Sequence, residues 1–333
     1  MMQTRTTLAE MSKALNLSIS TVSKSLSGSP EISLTTQIRV KDFAKSCNYI
    51  PNNFASSLRK GYTNTIGLVV PNILNPFYAK VLSGIENHLD QNNYKLITSF
   101  SNESLEKESN SLTKMASGYV DGVIICVSKE TEISNNYNHI QTLSSRGTPL
   151  VLFDRLCDAI ECDKVIIDDY KAAYDTTEYL IKEKGLKHIL MTSLISSLSH
   201  GKLRAQGFQD ALKANHQSIS NKLIVAETLE GLNSKLSHHL KNNPEVDGVF
   251  GLNEQAVLQT LQVKNQLHIK QPIHDITIAG FCNQIHENYN PSLIIVNQNA
   301  QAIGAAAAKM ILKRIKKNAL HPFYTETIAT QLA

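Results

Sequence analysis

The sequence predicts a small all-α head followed by an α/β body of two doubly wound parallel-sheet halves. Three observations carry this. Residues 1–60 hold eight basic side chains against three acidic ones, leaving 25 basic and 26 acidic of the chain's 33 and 29 for the remainder. Within that basic stretch, apolar residues recur at helical spacing in three short runs. From Ile66 onward, short apolar strand-like runs alternate with helical ones, the pattern of a parallel sheet covered on both faces.

Length and composition bound the rest. A chain of 333 residues exceeds what one core usually holds, and 42% hydrophobic with 19% charged residues is ordinary for a soluble globular protein. No apolar run approaches the ~18–20 residues a membrane span needs. The start, Met1-Met2-Gln3-Thr4-Arg5, lacks the apolar core of a signal peptide, so a cytoplasmic location is expected. The five cysteines form no Cys-x-x-Cys pair, which suits a reducing compartment and predicts no metal site. A basic head on a near-neutral body points to a polyanionic partner, although a solvated charged surface would look the same.

In the head, Thr7 and Glu10 have the spacing of a capping box, and Leu8, Met11 and Leu15 follow on one helical face. Asn16 tolerates the left-handed backbone that would end this helix. Ser18 then caps a second helix, from Ile19 to about Ser27, with Val22 and Leu26 inward and Gly28-Ser29-Pro30 after it. A third, from about Ser33 to Cys47, carries Val40, Phe43, Ala44 and Cys47 at helical intervals. Two short helices joined by a tight turn and backed by a third form a helix-turn-helix, whose second helix enters the DNA major groove. Its open N-terminal residues are Ile19, Ser20, Ser23 and Lys24, suited to base edges: Lys24 to guanine, the serines to several bases, Ile19 to a thymine methyl. Ser18 and Thr21 are placed for phosphate. A three-helix domain that binds protein instead has the same local pattern.

Residues 51–61, Pro51-Asn52-Asn53-Phe54-Ala55-Ser56-Ser57-Leu58-Arg59-Lys60-Gly61, combine linker chemistry with a faint helical pattern in Phe54, Ala55 and Leu58. A helix this short is marginal in water, so its folding depends on what it touches.

In the body, strands are expected at Ile66–Val70, Lys95–Ser99, Val123–Val127 and Pro149–Phe153. A second set is expected at Val165–Ile167, His188–Thr192, Leu223–Ala226, Gly248–Gly251 and Thr277–Ala279. Val120-Asp121-Gly122-Val123-Ile124 is echoed by Val246-Asp247-Gly248-Val249-Phe250, which suggests two similar halves. Ligands of such sheets bind beyond the carboxyl ends of the strands. Asp154, directly after Phe153, could accept bonds from ligand hydroxyls or belong to a loop ion pair; Phe77 and Tyr78 could stack on a ring or be core. No Gly-x-Gly-x-x-Gly, phosphate-binding loop, His-Glu-x-x-His or Gly-x-Ser-x-Gly occurs. No catalytic residues, metal ligands or cofactor are therefore expected.

Three segments together resemble the LacI/GalR family of bacterial transcription regulators. They are Thr7-Leu8-Ala9-Glu10 with Leu17 to Ser29, Asn48-Tyr49-Ile50-Pro51-Asn52 with Ala55-Ser56-Ser57-Leu58, and Thr65 to Pro71 with Asn75-Pro76-Phe77-Tyr78. The resemblance runs to about residue 317. It implies a sensor like periplasmic sugar-binding proteins, of two subdomains joined by three crossings. It also implies that Asn52, Ala55 and Leu58 meet the minor groove, with Leu58 wedging a base step. Arg204, in Arg204-Ala205-Gln206-Gly207-Phe208, and Asn253 match positions that reach ligand in the family. Where the family commonly has Gly-Phe-Asp-Asp, this chain has Gly280-Phe281-Cys282-Asn283, and Glu254 stands for a usual Asp. The lost carboxylate at Cys282 departs from a typical monosaccharide site.

The predicted organisation is a head over 1–50, a hinge over 51–61 and a sensor over 62–333. Within the sensor, 62–157 with 297–333 would form one subdomain and 158–296 the other. The function expected is a ligand-responsive repressor, not an enzyme. It would bind a near-palindromic double-stranded operator as a homodimer, with tetramer formation left open and a small-molecule effector, sugar-like or a related metabolite, in the cleft. The rival readings are a solute-binding protein without a regulatory role and an α/β enzyme acting on sugars or nucleotides.

Overall fold

The computed structural model describes residues 6–49, 62–155, 157–216, 223–270, 276–283, 293–316 and 322–333. The expected hinge over 51–61, with Asn52, Ala55 and Leu58, lies outside these residues. The chain divides into two compact units, one ending at Thr63 and the other beginning at Asn64.

The first unit contains α1 (Leu8–Leu15), α2 (Ile19–Leu26) and α3 (Leu34–Ser46). The capping box forms: Glu10 N donates to Thr7 Oγ1 at 3.2 Å, and Thr7 N donates to Glu10 Oε2 at 2.7 Å. Asn16 ends α1 with φ 52°. Two side chains then brace the turn, Ser12 Oγ donating to Leu17 O at 2.6 Å and Arg39 Nη2 to Leu15 O at 3.1 Å. Met11, Leu15, Val22, Val40 and Ala44 make the core, with Phe43 and Cys47 half-buried at its edge.

The second unit begins with β1 (Thr65–Val70), α4 (Pro76–Asp90), β2 (Lys95–Phe100), α5 (Leu105–Met115), β3 (Gly122–Ile125), α6 (Lys129–Ser134), α7 (Asn138–Ser145), β4 (Leu150–Phe153) and β5 (Asp163–Ile167). It continues through α8 (Asp169–Lys182), β6 (Ile189–Ser193), α9 (Ser199–Ala214), β7 (Leu223–Val225), α10 (Leu229–Asn242), β8 (Gly248–Gly251), α11 (Glu254–Lys270), β9 (Thr277–Phe281) and β10 (Leu293–Asn297). It ends with α12 (Ala300–Lys316), β11 (Thr325–Ile328) and β12 (Gln331–Leu332). One six-stranded sheet has the order β11-β5-β4-β3-β1-β2, and the other β12-β10-β9-β8-β6-β7. All pairings are parallel except β12 on β10.

The echoed Val-Asp-Gly motifs play matched roles. Asp121 Oδ2 accepts from Asn64 N at 2.7 Å ahead of β1, while Asp247 accepts from Lys187 N at 2.7 Å and His188 N at 2.8 Å ahead of β6. In the first half, α12 packs on α4 so closely that a Cβ on Gly304 would lie 2.0 Å from Val81 O, and one on Gly84 2.1 Å from Gln301 O. Only glycine permits that approach.

The structure corrects two boundaries. β5 pairs with β4 in the first sheet, so the chain first crosses after Ile167, rather than at 157–158, and Val165–Ile167 does not belong with the second set of strands. The C-terminal segment is not wholly in the first half, because β12 pairs with β10 of the second sheet. Strands β10, β11 and β12 were not among those expected.

Candidate functional site

On the head, Ser18 Oγ accepts from Thr21 N at 3.0 Å and lies 2.8 Å from both the Ser20 and Thr21 hydroxyls, so polar side chains crowd the N-terminus of α2. Free N–H groups and the partial positive charge at such an end favour a phosphate. Ser18, Ile19 and Ser20 are exposed, whereas Thr21, Ser23 and Lys24 are half-buried. Lys24 Nζ pairs with Glu31, beyond the end of α2. Reaching a base would require exchanging that partner, a small cost because the pair is exposed.

The second unit carries a cavity of about 530 Å³ between its two sheets, within the range of small-molecule sites. Residues following the strand ends line it: Asn72 after β1, Asn102 and Glu103 after β2, Asp154 and Arg155 after β4, and Ile195 after β6. Asn253 and Glu254 follow β8, Asn283 follows β9 and Gln298 follows β10. Phe77, Tyr78, Asp154, Arg204 and Asn253, the five residues expected to meet ligand, all lie in this wall. Contacts also cross the cleft: Lys80 Nζ to Asn283 O, Lys129 Nζ to Glu227 Oε2 at 2.9 Å, and Ser199 N to Glu132 Oε1 at 2.5 Å.

The arginines of the wall are held by the protein itself. Arg204 is 2% exposed; its Nε donates to Asp169 Oδ1 at 2.7 Å, its Nη1 donates to Leu252 O at 2.6 Å, and its guanidinium lies 3.7 Å from the centre of the Phe281 ring. Gly207 makes this possible by letting α9 lie directly on α8: a Cβ there would be 2.3 Å from Tyr170 O. Burial lifts Asp169 to about 6 against the pull of Arg204. Arg155 forms a two-bond fork with Glu103, at 2.6 and 2.7 Å, and also donates to Val127 O at 2.8 Å and Tyr78 Oη at 3.3 Å. Burial alone would raise Glu103, but the fork with Arg155 brings it below the usual carboxylate range. The ion pair of the β4 loop thus belongs to Arg155.

Asp154 adopts φ 67°. Among the described residues it forms no ion pair, and its hydrogen-bond donor is the Cys126 thiol at 3.8 Å. Burial raises its carboxyl above the ordinary range, against the fields of Arg155 and Arg204. His200, one turn before Arg204, is buried; desolvation, then Arg204 and Arg155, hold its pKa far below the usual value, so the ring is neutral. Phe77 and Tyr78 pack edge to face, 5.2 Å apart at 71°, and serve the core as well as the cleft. Cys282 is buried, and its thiol donates to Glu254 Oε1 at 3.6 Å while Asn283 N donates to Glu254 Oε2 at 3.2 Å. The Glu254 carboxylate is thus turned onto the Cys282–Asn283 turn. Sequence reasoning missed Glu103, Arg155 and His200 as wall residues. The strand-end rule would have found the first two, and helical spacing from Arg204 the third.

A capped recognition helix, in one chain with a two-sheet unit enclosing a polar cleft, defines a ligand-binding transcription regulator. Residues 63–328 match the family model described as periplasmic binding proteins and sugar binding domain of LacI family, and the chain belongs to that family. It is 28% identical over 319 residues to the HTH-type transcriptional repressor PurR of Aliivibrio fischeri (strain MJ11), covering 93% of this chain and 92% of that one. It is 27% identical to catabolite control protein A of Priestia megaterium, with 93% of each chain covered. The lac repressor dimer bound to operator and the anti-inducer ONPF has the same fold, with a TM-score of 0.81, 16% identity and coverage of 99% and 98%.

Proposed function

We propose that this protein is a cytoplasmic repressor that binds a near-palindromic operator as a homodimer and changes its affinity when a small metabolite enters the cleft. The head over 1–50 reads the major groove through Ile19, Ser20, Ser23 and Lys24, while Ser18 and Thr21 hold phosphate. The segment 51–61 folds as a hinge against the minor groove, with Asn52, Ala55 and Leu58 in contact and Leu58 wedged into a base step. The remainder senses ligand through Phe77, Tyr78, Asp154, Arg204 and Asn253. Two heads on a two-fold axis would read half-sites about one helical turn apart. The cleft binds without turnover.

The observation that carries this reading is the cavity lined from both sheets. A ligand gripping both halves favours one arrangement of them, which is the differential affinity that coupling to DNA requires. The solute-binding alternative is set aside by relatives named as regulators over 93% of this chain. The test pairs a thermal-shift screen of sugars, sugar acids and purines with operator titration. A ligand at 100 times its dissociation constant adds ~2.7 kcal/mol to stability. A hit should change operator affinity at least about fivefold in either direction. A cleft ligand that leaves operator affinity unchanged overturns the coupling.

A further inference from the structure

Asp154 stands in the wall of two cavities. Besides the main cleft, a smaller space of about 170 Å³ lies against it, lined also by Asp168, Asp169, Ser199, His200 and Thr327. That is room for several water-sized groups, at roughly 30 Å³ each. No lysine or arginine lines the smaller space among the described residues. Asp169 is committed to Arg204, and Asp168 caps α8 by accepting from Lys171 N at 2.9 Å. Asp154 has only the weak thiol donor, in a place where burial already disfavours its charge.

Each guanidinium nearest it is already matched by a carboxylate of the protein. Arg155 is forked onto Glu103, Arg204 is held by Asp169, Leu252 and Phe281, and His200 is neutral. An anionic ligand would meet the Asp154 carboxylate where both nearby guanidinium charges are already balanced by Glu103 and Asp169. A neutral hydroxyl could donate to Asp154 but would bring no charge of its own to the carboxylate. Among the described residues no group of three or more His, Cys, Asp or Glu is placed to hold a metal ion, and an organic ammonium would supply both the charge and the N–H donors that Asp154 lacks. Asn72, Asn75, Asn102 and Asn283 in the main cavity offer amide donors and acceptors for hydroxyl groups.

We propose that the effector is a polyhydroxylated molecule bearing a primary amine, its ammonium seated against Asp154 at the mouth of the smaller cavity and its hydroxyls on the asparagines of the main cleft. The proposal rests on the cleft being the effector site and names the class of molecule it takes.

The test uses the full-length protein and calorimetric titration with matched triads in the gluco, galacto and manno series: the 2-amino-2-deoxyhexose, the parent hexose and the corresponding aldonate. The amine should bind at least about tenfold more tightly than its parent in one series, and the aldonate should bind least. Asp154→Asn, which suits the left-handed backbone at this position, should fold normally and bring amine and hexose to equal affinity. The proposal is overturned by an aldonate that binds best, by equal binding of amine and hexose, by an amine preference that survives in Asp154→Asn, or by no binding in any series. A hexose or aldonate that binds and changes operator affinity would overturn the amine while leaving the regulator reading intact. Loss of operator response to every cleft ligand would instead break that reading.

Discussion

Replacing Arg204 by Met tests the buried pair that anchors the second half of the cleft. The change keeps most of the side chain's length but removes the guanidinium, leaving the Asp169 carboxylate buried without its partner and the Leu252 carbonyl without its donor. Breaking a buried pair from one side costs about 3–5 kcal/mol. For a unit of roughly 270 residues, the unfolding entropy of about 2.1 cal/mol/K per residue converts this into a fall of about 5–9 °C in Tm. The double variant Arg204→Met/Asp169→Asn removes the stranded charge and should recover more than half of the loss. Thermal unfolding of the three proteins at pH 7.5, followed by circular dichroism, gives the comparison. A single variant within about 2 °C of the parent, or a double variant no more stable than the single, would refute the assignment of Asp169 as the partner that matters.

Three further outcomes are expected. Because Asp169 sits at about 6 in the fold against an ordinary 3.8, its contribution to stability is fully present below about pH 4 and is lost as the pH rises through 6. The stability of the parent relative to Asp169→Asn should therefore fall by about 2 kcal/mol from pH 4 to pH 6.5 in urea titrations, and a flat difference would contradict the shift. Lys24→Ala should relax base preference at one position of each half-site by about 1–3 kcal/mol in competition binding; an equal loss for every sequence would make Lys24 a phosphate contact. Leu58→Ala should weaken operator binding and leave cleft-ligand affinity unchanged, and unaltered operator affinity would remove the wedge from the account.

Much of the head was legible because its signals are local. Thr7 with Glu10, Asn16 and Ser18 each specify a helix end through bonds to residues within four positions. In the cleft, chain order pointed to Asp154 after a strand end, whereas Arg204 and Asn253 were expected from the family resemblance alone. What could not be read was pairing at a distance. Asp154 and Arg155 are neighbours in sequence, yet Arg155 reaches Glu103 at another strand end while Asp154 is left with a thiol. The sheet to which β5 belongs is set by its ladder with β4, and nothing within Asp163–Ile167 announces it. The two residues of β12 are too few to carry a periodic pattern at all.

The central claim is that two copies of the head read one symmetric DNA site. Footprinting the promoter region of the protein's own coding sequence with full-length protein tests it most directly, at two salt concentrations. The account predicts protection of a single two-fold-symmetric site, its half-sites about one helical turn apart, that outlasts competition by unrelated duplex. Weak, sequence-blind protection that disappears as salt rises would contradict it.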